Sequence, residues 1–132
     1  MKNFSIGSFK LNNIYDPYII AEIGVNHEGD MSLAKKLIRL AANSGAHAAK
    51  FQTYKAETLA SKNSPAYWDK TKEKTDSQYA LFKKFDKFGH KDYKELASFC
   101  LKNKIDFLST PFDLDSVDFL NDLVPAFKIA SA

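Results

Sequence analysis

Tyr18-Ile19-Ile20-Ala21-Glu22-Ile23-Gly24-Val25-Asn26-His27-Glu28-Gly29-Asp30 is the stretch on which the reading of this chain turns. Its first half is a nearly continuous apolar run, the pattern of a parallel strand covered on both faces. A buried, unpaired carboxylate is costly, so Glu22 at the centre of that run needs a partner. The chain then passes through Gly, Asn, His, Glu and Gly to Asp30, a residue suited to cap a helix. Carboxylate, amide and imidazole gathered where a strand becomes a helix is how α/β folds set polar chemistry on a rigid frame.

Working outward, the same rhythm recurs. Leu33, Leu37, Ile38 and Ala41 form a helical stripe closed by Gly45. Ala46 to Gln52 reads as a second strand. A helix with Tyr93, Leu96, Ala97 and Cys100 on one face leads into a third, Ile105 to Ser109, ended by Pro111. Asp113 or Asp115 starts another helix with Leu120, Leu123 and Val124 on its apolar side, and Ala126 to Ala130 reads as a fourth strand. Upstream, Phe4-Ser5-Ile6 and Phe9-Lys10-Leu11 alternate around Gly7-Ser8 like a short β-hairpin. Between the second strand and its helix lies a long insertion, residues 54–89, with Pro65, Tyr67, Trp68 and an expected helical piece from Ser77 to Phe88. Loops of this length often serve as lids; packing by the insertion's own aromatics is the structural alternative.

The fold class is α/β with about four parallel strands, which either a doubly wound sheet or a (β/α)8 barrel satisfies. Both place function at the carboxyl ends of the strands. The loop after the first strand lacks GxGxxG spacing, which disfavours a dinucleotide site. A final strand with no following helix favours the N-terminal half of a (β/α)8 TIM barrel, residues 1–132, preceded by the hairpin.

Composition narrows the class. The 132 residues are 45% hydrophobic and 27% charged, with net charge +3, ordinary for a globular domain. Lysines between Lys70 and Lys104 alternate with Asp and Glu, and Arg39 is the single arginine, so solvated helical faces explain them better than a nucleic-acid patch. One cysteine, Cys100, excludes an internal disulfide, fits a reducing cytosol and lies on an apolar stripe, as a buried inert thiol would. No apolar run approaches the roughly 20 residues of a membrane span, and the N-terminus lacks a signal-peptide core. The expected setting is the cytoplasm, with neither nucleic acid nor membrane as partner.

Polar residues recur at the strand ends: Glu22 with Asn26 and His27, Lys50 with Gln52, Ser109 with Thr110, and Lys128 with Ser131. In a parallel barrel these ends converge. Two ammonium groups, hydroxyls and an amide suit a small ligand carrying phosphate and carboxylate. Glu22 pairs naturally with one of the lysines. The bland readings are a structural Glu22–Lys50 ion pair, a loop-capping role for His27 and simple strand termination at Ser109-Thr110-Pro111. His27-Glu28 is not the HExxH zinc motif, and His27, His47 and His90 show no metal-ligand spacing, so no metal ligand is assigned.

Taken together, Ala21 to Gly29, Lys50-Phe51-Gln52-Thr53-Tyr54, Ser77 to Phe82, Phe107 to Asp113 and Phe127-Lys128-Ile129-Ala130-Ser131 resemble the N-acetylneuraminate (sialic acid) synthase family, including legionaminic acid and spore-coat polysaccharide synthases. The resemblance implies a (β/α)8 barrel that condenses phosphoenolpyruvate (PEP) with an open-chain N-acyl hexosamine, typically N-acetylmannosamine, to give a nonulosonic acid and phosphate. It implies a divalent metal, Mn²⁺ or Mg²⁺, that polarises the sugar aldehyde, with ligands outside this chain. By motif, Lys50, Thr110, Lys128 and Ser131 correspond to the PEP cradle, Gln52 to an amide orienting the sugar, and Glu22 to a catalytic carboxylate beside PEP. Asn26 and His27 lie in the matching substrate loop. The resemblance further implies strands five to eight, a C-terminal antifreeze-like domain and a homodimer for the full-length form. The chain reads as the N-terminal half of such a synthase, with little or no activity unaided and unpaired barrel edges. Two alternatives stand beside it: another PEP-dependent synthase of 3-deoxy-sugar acids, and a non-catalytic half-barrel that binds an anion.

Overall fold

A computed structural model describes residues 4–11 and 16–131. Along the chain these form β1 (Phe4–Ile6), β2 (Phe9–Leu11), β3 (Ile20–Gly24), α1 (Met31–Asn43), β4 (Ala48–Thr53), α2 (Ala56–Leu59), α3 (Gln78–Phe85), α4 (His90–Lys102), β5 (Asp106–Pro111) and α5 (Leu114–Leu120). β1 and β2 pair antiparallel as a hairpin. β3, β4 and β5 form a parallel sheet in that order. Parallel neighbours need long crossovers, which α1 supplies between β3 and β4, and α4 between β4 and β5.

Capping fixes where α1 begins and ends. The Asp30 carboxylate accepts from Ser32 N at 2.7 Å and Leu33 N at 3.0 Å, satisfying two donors of the first turn. At the other end Ala46 N donates to Ala41 O and Gly45 N to Ala42 O, both at 3.1 Å, with Gly45 at φ 82°. This is the Schellman arrangement, and it turns the chain directly into β4. α4 ends in the same way, except that Lys104 rather than glycine occupies the left-handed position at φ 55°.

The core lies on one face of the sheet. Ala34, Ile38 and Ala41 of α1, Tyr93, Leu96 and Cys100 of α4, and Leu120 of α5 pack against Ile23, Ala49, Phe51 and Phe107. Burial pushes the Cys100 thiol up to about 12, so it is an inert core group. Among the described residues no helix is long and apolar enough to cross a membrane.

The long insertion is held at its base rather than left loose. Asp86, with its side chain 2% exposed, accepts from Ala56 N at 3.1 Å and from Lys55 Nζ at 2.8 Å, joining the insertion's two ends. That use of Asp86 ends α3 at Phe85, short of the expected Phe88. Trp68 donates to Glu73 O at 3.1 Å, whereas Tyr67 stays exposed.

The expected fourth strand is a correction. Residues 126–131 join no ladder, and all but Ala126 are exposed. Apolar alternation marks a segment fit for a sheet, but a parallel strand also needs a hydrogen-bonding neighbour and cover on both faces. The described residues supply neither there.

Candidate functional site

Successive side chains of a strand face opposite ways. Ala49 and Phe51 enter the helix-covered core, so Lys50 and Gln52 point to the other face. The register sets Glu22 beside Lys50 and Gln52 beside Thr110. Glu22, Lys50, Gln52 and Thr110 therefore share the face away from the helices, towards the carboxyl ends of three neighbouring strands.

Lys50 is the centre of this group. Its side chain is 10% exposed, its ammonium forms an ion pair with the Glu22 carboxylate, and Nζ lies 3.4 Å from Thr110 Oγ1. The apolar run around Glu22 led us to expect a buried carboxylate; its side chain is instead 53% exposed. Helices cover only the opposite face of the sheet here, so Glu22 keeps water on one side while pairing on the other. An ammonium carries three donors. One carboxylate and one distant hydroxyl leave it able to meet an anion arriving from the open side.

Gly24 shapes the space above the pair. The register slips between Glu22 and Gly24, and Gly24 sits at φ 56°. A Cβ at this position would lie 3.3 Å from Glu22 Oε1 and 3.5 Å from Gln52 Nε2, so glycine lets carboxylate and amide converge. The signal in the sequence was a glycine closing a strand two residues after a charged side chain.

Other candidate residues lie elsewhere. His27 is 2% exposed on the helix side, stacked on Phe88 at 4.3 Å and tilted against Phe51. Its Nδ1 accepts from Gly29 N at 3.0 Å, which places the proton of the neutral ring on Nε2. Burial lowers its pKa. Asn26 is exposed and lines, with Glu22, a cleft between β3 and α1. Lys128 and Ser131 are exposed, and Lys128 Nζ donates to the neighbouring Ile129 carbonyl at 2.5 Å rather than joining Lys50. Ser109, grouped with Thr110 by sequence, faces the helix layer, where its hydroxyl lies 2.7 Å from that of Thr53. Consecutive strand residues cannot both face one site.

Among the described residues no three His, Cys, Asp or Glu side chains gather to hold a metal ion. His27 is enclosed by Phe88, His47 Nδ1 accepts from Ile19 N, and His90 stacks on Phe119 at 3.8 Å. These imidazoles do not fit a shared metal centre.

Comparison with known proteins gives the arrangement its context. A model of the NeuB family matches residues 37–132. The chain is 50% identical over 117 residues to the N,N'-diacetyllegionaminic acid synthase of Campylobacter jejuni, covering 86% of this chain and 34% of that protein. It is 36% identical over 115 residues to the N-acetylneuraminate-9-phosphate synthase of Homo sapiens, covering 86% of this chain and 32% of that one. A crystal structure of N-acetylneuraminic acid (sialic acid) synthetase from Leptospira borgpetersenii serovar Hardjo-bovis, in complex with citrate, superposes with TM-score 0.73 at 32% identity, over 92% of this chain and 38% of that one. The chain thus spans about a third of the length of the curated relatives it matches. With the matched residues running through β4, β5 and their strand ends, this chain belongs to the NeuB family.

Proposed function

We propose that this chain supplies the PEP-binding strands of a nonulosonic acid synthase, an enzyme condensing PEP with an N-acyl hexosamine such as N-acetylmannosamine. The observation that carries the reading is Lys50: a nearly buried ammonium on β4, between the Glu22 carboxylate and the Thr110 hydroxyl, in a NeuB-family chain. Its three paired strands are the first of a (β/α)8 barrel.

Lys50 and Thr110 hold the phosphate end of PEP, the ammonium by charge and the hydroxyl by hydrogen bond. Lys128 and Ser131 join them when segment 126–131 pairs alongside β5 as the next strand. This second ammonium matters electrostatically, because Glu22 and Lys50 alone sum to no net charge. Gln52 presents its amide to the sugar. Glu22 stands where a proton is exchanged as PEP C3 bonds to the aldehyde carbon and water adds at C2 before phosphate leaves. Asn26 and His27 shape the adjoining loop, His27 from within the core. A divalent ion, if used, takes its ligands from outside this chain. The whole enzyme is a cytoplasmic homodimer in this reading.

Joining residues 1–132 to the C-terminal two-thirds of the Campylobacter jejuni relative tests it. The joined protein is expected to release phosphate from PEP only when an N-acyl hexosamine is present, while the chain alone does not. Sugar-independent phosphate release, or condensation unaffected by Lys50→Met, would count against the proposal.

A further inference from the structure

Behind the strand ends, on the helix side, three buried hydroxyls lie beside the core. Ser109 is fully buried, Thr53 is 5% exposed and Tyr93 6%. Thr53 Oγ1 and Ser109 Oγ lie 2.7 Å apart across β4 and β5. The Tyr93 hydroxyl, reaching in from α4, donates at 2.8 Å to the Gln52 carbonyl, in the peptide that leads into Thr53. Apolar side chains of similar volume would fill these positions without removing hydroxyls from water. Thr53 and Ser109 instead bond each other and Tyr93 bonds the Gln52 peptide, so β5, β4 and α4 are tied together at one place.

The placement of these two links is what gives them a role. Thr53 and Ser109 are the sequence neighbours of Gln52 and Thr110, whose side chains emerge on the opposite face. A bond between the two hydroxyls therefore fixes the spacing of Gln52 and Thr110, and with them Lys50, from behind. Tyr93 anchors the Gln52 peptide itself.

We infer that Thr53, Ser109 and Tyr93 are positioning residues that hold Lys50, Gln52 and Thr110 in register for PEP. This inference rests on the function proposed above. The test is calorimetric titration of PEP into the full 132-residue chain and into Thr53→Val, Thr53→Ser, Tyr93→Phe and Lys50→Met variants, with thermal unfolding of each. Thr53→Val and Tyr93→Phe are expected to weaken PEP binding about tenfold, the scale of one well-placed hydrogen bond; the unfolding midpoint of Tyr93→Phe stays close to the parent, while that of Thr53→Val, which strands the buried Ser109 hydroxyl, falls. Thr53→Ser, which keeps the hydroxyl, restores affinity. The double variant Thr53→Val/Tyr93→Phe loses less than the product of the two single effects, because both links hold the same stretch of β4, Gln52–Thr53. Should Thr53→Val not fold, Tyr93→Phe decides, since it removes one oxygen and keeps the ring. Parent-like affinity in Tyr93→Phe and Thr53→Val, with Lys50→Met impaired, overturns the positioning role and leaves the functional reading intact. Unchanged binding in Lys50→Met, or no binding by the parent, overturns the functional reading and the inference with it.

Discussion

Removing the two members of the Glu22–Lys50 pair one at a time should have unequal consequences, and the structure says which is larger. The lysine side chain is 10% exposed and the glutamate side chain 53%. Glu22→Gln leaves an ammonium in a nearly closed site with Thr110 Oγ1, 3.4 Å away, as its remaining partner. Stranding a charge of a fully buried pair costs about 3–5 kcal/mol, while an exposed pair contributes about 0–1 kcal/mol. With one partner half solvated, Glu22→Gln falls between, at about 1–3 kcal/mol. Lys50→Met leaves Glu22 to water and refills the stem's volume, so its cost stays under about 1 kcal/mol. Urea unfolding followed by far-ultraviolet circular dichroism measures both, provided the slope with denaturant is unchanged. Ligand binding should order the other way: Lys50→Met loses PEP affinity, whereas Glu22→Gln, relieved of a competing carboxylate, binds at least as tightly. A larger stability loss in Lys50→Met than in Glu22→Gln would refute the reasoning.

Three further outcomes follow from local geometry and titration. A Cβ on Gly29, which sits at φ 75°, would lie 2.3 Å from Lys87 Cδ, so Gly29→Ala should destabilise by about 1–2 kcal/mol from backbone strain plus a steric part. Adding Lys87→Ala removes the Cγ and Cδ contacts but leaves Lys87 Cβ 2.8 Å from the new methyl, so it recovers only part of the loss, as thermal unfolding would register. Lys104 holds a left-handed position at φ 55° after α4, so Lys104→Gly should raise stability by up to about 1 kcal/mol in urea; a loss would contradict the assigned cap. Burial lowers the pKa of His27 below its ordinary 6.5, so below that value the unfolded chain binds more protons than the folded one. Stability from this group is complete above pH 6.5 and falls as pH drops towards the lowered folded value. His27→Phe should flatten that part of the pH–stability curve; an unchanged slope would mean the ring is not held neutral.

Much of this architecture is legible in the sequence because local chemistry decides it. The apolar runs of β3, β4 and β5, the caps Asp30 and Asp113, and the stripe Tyr93, Leu96, Cys100 report directly on burial and helix entry. What escapes is set by partners distant in sequence. His27 reads as a loop imidazole until Phe88, from the far end of the insertion, is stacked on it. Segment 126–130 has the composition of a strand, but composition cannot supply a ladder partner. At the candidate site, Lys50 and Thr110 could be grouped by their strand-end positions, and strand alternation could have separated Ser109 from Thr110. The partial exposure of Glu22 could not be read, because it depends on which face of the sheet is covered.

The central claim is that PEP binds at the carboxyl ends of β4 and β5 through Lys50 and Thr110. Titrating PEP into the ¹⁵N-labelled chain and following backbone amide shifts tests this most directly. The account predicts shifts at Gly24, Lys50, Gln52 and Thr110 that vanish in Lys50→Met. Shifts confined to His47 and Asp106 at the opposite ends of β4 and β5, or none at all, would contradict it.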